Sequence, residues 1–95
     1  MAKKTTKNVQ SPLRVGNAVI IRTVTLYHTG RIVALTKEEI VLVDAAWIAD
    51  TGRWHEALKT GKLIEVEPFP GPVSVNRGAV IDVADWTQAL PLDVR

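Results

Sequence analysis

Ninety-five residues suffice for one domain with a single modest core, and no apolar run approaches the roughly 20 residues that cross a bilayer. The lack of cysteine excludes disulfides, thiolate metal ligands and a cysteine nucleophile. A net charge of +2 conceals an asymmetry. Before Glu38 stand Lys3, Lys4, Lys7, Arg14, Arg22, Arg31 and Lys37 with no acid, whereas from Glu38 onward five bases face ten acids, a net of −5. The basic part is suited to attract phosphate, and the two parts are equally suited to attract each other between neighbouring subunits.

Residues 1–12 are polar and Lys/Thr-rich without apolar period, which predicts a flexible basic tail punctuated by Ser11-Pro12; residues 13–95 form the domain. Basic as it is, the start lacks the apolar stretch of a secretory signal. Ala18 to Leu26, dense in Val, Ile and Thr, reads as a first strand with Arg22 outward or in a polar channel. Tyr27 to Gly30 reads as a turn, Arg31 to Leu35 as a second strand, and Thr36-Lys37-Glu38-Glu39 as a polar turn. Ile40 to Val43 is continuous enough in apolar character to be buried on both sides.

The pattern then changes. Thr51 or Asp50 is placed to cap a short helix over residues 51–60, with Trp54, Ala57 and Leu58 at i, i+3 and i+4 facing inward and Gly61 as a left-handed C-cap. Such a short helix must pack on the barrel or on another subunit. Leu63 to Glu67 alternates as a half-buried strand with Glu65 and Glu67 outward, and Pro68 to Pro72 is a rigid connection. Val73–Val75 and Ala79–Val83 flank Asn76-Arg77-Gly78, where Gly78 permits a tight bend or close backbone approach; Asp85 to Leu90 suggests a further helical turn. Strands this short bury their apolar faces by curling together. The expected fold is mainly β: a small five-stranded bent barrel with one short inserted helix.

Gly30-Arg31-Ile32-Val33-Ala34-Leu35 followed by Ile40 to Ala45 resembles the first Sm motif, a glycine-led apolar strand, a polar turn and an apolar strand ending in Asp-Ala. Asn76-Arg77-Gly78-Ala79-Val80-Ile81 resembles the second, in which Arg-Gly precedes a closing strand. The Sm-like (Lsm/Hfq-type) resemblance implies an SH3-type barrel, assembly into rings, and binding of single-stranded RNA at two turns. Where that family offers Asp and Asn in the first turn, this chain has Thr36-Lys37-Glu38-Glu39. Separately, Ala46 to Arg53 with Glu65-Val66-Glu67-Pro68 is similar to a family of small bacteriophage and prophage proteins, which implies a phage setting and no chemistry.

Catalytic signals are weak. His28 and His55 lack metal-ligand spacing, Ser11 and Ser74 lie in no nucleophile elbow, and no phosphate loop is present. Arg77 beside Gly78 is the strongest binding signal, because a glycine lets the guanidinium and nearby N–H groups approach a phosphate or base edge. Trp54 is assigned to packing, and Trp47 to packing or the lining of a pocket. The expectation is a non-enzymatic, cofactor-free homo-oligomer in the cytoplasm, that of a host if phage-encoded. It captures nucleic acid or a small nucleotide, which could be a host signal, through Arg77, Gly78, Asn76, Lys37, Arg31 and Trp47. A second expectation is a virion component, docked against capsid or tail proteins through the segment around Phe69, with the basic tail reaching across a neighbour.

Overall fold

The structure, a computed structural model, describes residues 9–95. In chain order it comprises β1 (Ala18–Thr23), β2 (Tyr27–Leu35), β3 (Glu39–Asp50), α1 (Trp54–Thr60), β4 (Glu65–Pro68), β5 (Val73–Asn76), a 3-10 turn (Arg77–Ala79) and β6 (Val80–Asp85). Every ladder is antiparallel. The strand order is β4-β3-β2-β1-β6, and β5 shares with β4 the edge of β3 that faces away from β2.

The expected class holds: a mainly β, bent, barrel-like domain with one short helix. It has six strands where five were expected, and the sheet is curled but unclosed, with no ladder joining β6 to β4 or β5 among the described residues. The sixth strand arises because one long edge is filled twice. β4 pairs with Ala46–Asp50 and β5 with Glu39–Leu42, and between them Pro70 and Pro72 have no N–H to donate to a ladder.

The curl has a local cause. Thr29 pairs with Ala46 and Arg31 with Val43, so β3 carries an extra residue opposite Gly30. Asp44 takes a positive φ of 49° there, a conformation that Asp tolerates better than bulky residues. A Cβ on Gly30 would lie 3.0 Å from Leu42 Cβ and 3.2 Å from Ala45 Cβ, so the backbones approach at the bend as closely as glycine allows. Further register shifts fall between Ile32 and Ala34, between Ile48 and Asp50, and at Arg22/Thr23 opposite β6. Bulges of this kind raise the twist and fold a sheet over itself.

Both faces of the sheet are covered. Val19, Ile21, Ile32, Ile40, Leu42, Ala45 and Val75 fill the concave side. Ile20, Ala46, Ile48, Val66, Leu63, Trp86 and Ala57 of α1 form a second core on the other side. Val19, Ile20 and Ile21 are therefore all buried, each worth about 1.5–3 kcal/mol on removal from water. Trp54 and Leu58 pack on the second core, as their helical spacing predicts, and Trp54 lies 5.1 Å from the Tyr27 ring.

Several boundaries differ from expectation. Tyr27 to Gly30 is strand rather than turn; the reversal is Val24–Leu26, closed by Thr23 Oγ1, which accepts from Leu26 N–H at 3.0 Å. β3 runs on through Trp47 to Asp50. Neither Thr51 nor Asp50 caps α1: Asp50 Oδ1 accepts from Gly52 N–H, and Arg53 occupies the N-cap position without a side-chain bond. Gly61 is the left-handed C-cap, φ 78°. Trp86 to Leu90 is not helical; Trp86 Nε1 donates to the Ala89 carbonyl, and the segment continues to Arg95, which exchanges backbone hydrogen bonds with Val66. In the Pro-rich segment, Phe69 is half-buried, packed on the first core and stacked on His28, while Pro70 to Pro72 are exposed. Of the expected flexible tail, residues 1–8 lie outside the described residues; Ser11 Oγ accepts from Leu13 N–H and Leu13 packs on the first core.

Candidate ligand-binding groove

Two turns expected to matter from sequence meet at one end of the domain. The Thr36–Glu39 turn is closed by Thr36 Oγ1, which accepts from the N–H groups of Glu38 at 3.2 Å and Glu39 at 2.9 Å. Opposite it, the Asn76 side chain accepts from Gly78 N–H at 2.8 Å and starts the 3-10 turn. Pairing of Glu39 with Asn76 brings the turns together, and Arg77 ties them. Its backbone N–H donates to the Glu38 carbonyl at 2.9 Å and its Nη1 to the Thr36 carbonyl at 2.6 Å. Gly78 has no left-handed conformation; a Cβ there would meet the Asn76 Oδ1 at 3.2 Å, so it serves close approach rather than a positive-φ bend.

Lys37, Glu38, Glu39, Ser74, Asn76 and Gly78 line an open groove of about 600 Å³ between the turns. Its charge is mixed. Ser74 Oγ donates to Glu39 Oε1 at 2.5 Å and holds that carboxylate against β5. Lys37 is exposed and has no carboxylate within 4.0 Å among the described residues. The groove therefore offers a free ammonium and the amide of Asn76, donors suited to a phosphate or a base edge, while Arg77, expected from sequence to bind, ties the two turns together without lining the groove. Ser74 and Glu39 were not anticipated, and only the β3–β5 register places them in the groove.

The other two expected residues are elsewhere. Arg31, on β2 between Ala18 and Val43, is exposed and donates from Nη1 to the Gly16 carbonyl at 3.0 Å. Trp47 lies past the bend of β3, 37% exposed, between His28 of β2 and Glu67 of β4. Neither lines the groove. His28 is buried, its Nδ1 has no hydrogen-bond partner among the described residues, and its ring stacks on Phe69 at 6.0 Å. Burial pushes its pKa below the usual histidine value of 6.5.

Among the described residues no three of His, Asp and Glu gather as a metal site, and no helix is long and apolar enough to cross a membrane. Comparison with protein-family models, with curated proteins and with solved structures gives no match.

Proposed function

We propose that the chain is a non-enzymatic, homo-oligomeric binding protein whose groove between the Thr36–Glu39 and Asn76–Gly78 turns captures an anionic ligand of the nucleotide or nucleic-acid class. The observation that carries this reading is the meeting of an unneutralised Lys37 and the Asn76 amide in one groove whose two turns Arg77 ties together. Electrostatic capture followed by hydrogen bonding from Asn76 needs affinity and no turnover, as does sequestration of a nucleotide signal. Assembly is favoured by the edge of β6, which among the described residues pairs only with β1 and leaves backbone groups available to another chain.

Native mass spectrometry of freshly purified protein tests both parts, reporting stoichiometry and retained ligand together. A bound nucleotide or oligonucleotide adds absorbance near 260 nm and is lost steeply as salt rises. Lys37→Gln is the cleanest variant because the Lys37 side chain makes no hydrogen bond among the described residues. It weakens binding about tenfold and leaves the oligomer intact, whereas unchanged affinity removes the groove from consideration. A virion role is the second reading, favoured by Val24 and Ile81, which are 74% and 56% exposed and line one shallow hollow at the β1–β2 reversal. It predicts the protein in purified particles.

A further inference from the structure

One cross-strand row runs over the whole sheet: Val83 of β6, Ile21 of β1, His28 of β2, Trp47 of β3 and Glu67 of β4 are successive direct partners. Direct partners share a face, so burial can be followed along it. Ile21 is fully buried and His28 nearly so, Trp47 is 37% exposed, and Glu67 is exposed. Glu65, two residues before Glu67, shares that face, and its partner is Asp50. Val66, between the two glutamates, turns into the second core at 0% exposure. The result is an exposed indole bordered by carboxylates, none of which has a cationic partner within 4.0 Å among the described residues. Arg95, whose backbone pairs with Val66, sends Nη1 to the Gly61 carbonyl.

An aromatic face flanked by carboxylates recognises an ammonium or guanidinium group: the ring attracts the cation through its quadrupole and the carboxylates supply the opposite charge. The same chain carries the complementary group, Lys3, Lys4 and Lys7 in an acid-free segment. We propose that the Trp47–Glu65–Glu67 face receives the Lys3–Lys7 segment of a second copy of this chain, an inference that rests on the homo-oligomeric reading above.

Charge favours this occupant. Lys3, Lys4 and Lys7 are three cations with no acid among them, and Asp50, Glu65 and Glu67 are three exposed carboxylates without a cationic partner within 4.0 Å among the described residues. A contact between the basic start of one copy and β4 of the next joins two different surfaces, which is the heterologous arrangement that builds rings and filaments.

The test is zero-length carbodiimide cross-linking of the full chain, using an equal mixture of natural-abundance and nitrogen-15-labelled protein, with the links mapped by mass spectrometry. The expected result is amide links from Lys3, Lys4 or Lys7 to Glu65 or Glu67, with mixed-isotope pairs making up about half, as random assortment dictates. Trp47→Leu, which keeps apolar bulk and removes the aromatic face, lowers their yield about five-fold. Links spread evenly over Glu56, Asp93 and the other exposed acids overturn the inference, as do same-isotope links alone. Native mass spectrometry separates the two failures: a monomer defeats the assembly reading, whereas an oligomer without these links defeats only this contact.

Discussion

Gly30→Ala probes the bend on which the arrangement of both turns depends. The added methyl would stand 3.0 Å from Leu42 Cβ, 3.2 Å from Leu42 Cδ1 and 3.2 Å from Ala45 Cβ. Leu42 and Ala45 are both buried, and Ala45 belongs to the bulge beside Asp44, so neither can yield without moving the concave core. Overpacking of this kind costs about 1–3 kcal/mol. With a denaturant slope of about 1–3 kcal/mol/M for a small domain, the urea midpoint should fall by roughly 1 M. Gly71→Ala is the internal control: nothing lies within 4 Å of its Cβ position and its φ is not positive, so the midpoint should hold or rise slightly. Tryptophan fluorescence follows both transitions, since Trp86 is buried. A Gly30→Ala midpoint equal to wild type with an unchanged slope would refute the close approach of β2 and β3.

Three further outcomes are expected. Asp44→Val should cost about 1–2 kcal/mol and Asp44→Gly nothing, because position 44 has a φ of 49°; thermal melts of the pair check this. Gly61→Ala should lower stability by about 1–2 kcal/mol, since φ is 78° and the new Cβ would lie 2.8 Å from Gln88 Cβ. His28 is held neutral by burial, so its folded pKa lies below its unfolded value of about 6.5. In the window below 6.5 the unfolded chain binds the extra proton, and stability must fall as pH falls until the folded pKa is passed. Urea midpoints between pH 7.5 and 5 should show this loss, and His28→Phe should remove it.

The parts of the fold legible in the sequence were those with a local cause. Val19-Ile20-Ile21 announces a strand, Trp54, Ala57 and Leu58 fix the inward side of α1, and Gly61 ends it. The two-sided burial expected of Ile40–Val43 falls on Val19–Ile21 instead, Val41 and Val43 being only half-buried. What stayed hidden depends on pairing. The positive φ at Asp44 bends β3 without ending it, so an apparent break at Asp44-Ala45-Ala46 is one continuous strand. Tyr27 and His28 resemble turn residues until Ile48 and Trp47 are set opposite them. The Arg77 turn and Lys37 were visible separately, yet no spacing along the chain reveals that Arg77 Nη1 reaches the Thr36 carbonyl. Arg31 and Trp47 belonged with them by residue type alone, and the bend at Gly30 sends them to other surfaces.

Amide chemical-shift mapping tests the central claim most directly: nitrogen-15-labelled protein titrated with nucleoside monophosphates and a short single-stranded oligonucleotide, at two salt concentrations. The account predicts saturable shifts concentrated in Lys37–Glu39 and Asn76–Gly78, weakened by salt and by Lys37→Gln. Shifts centred on another surface, or none at millimolar ligand, would contradict it.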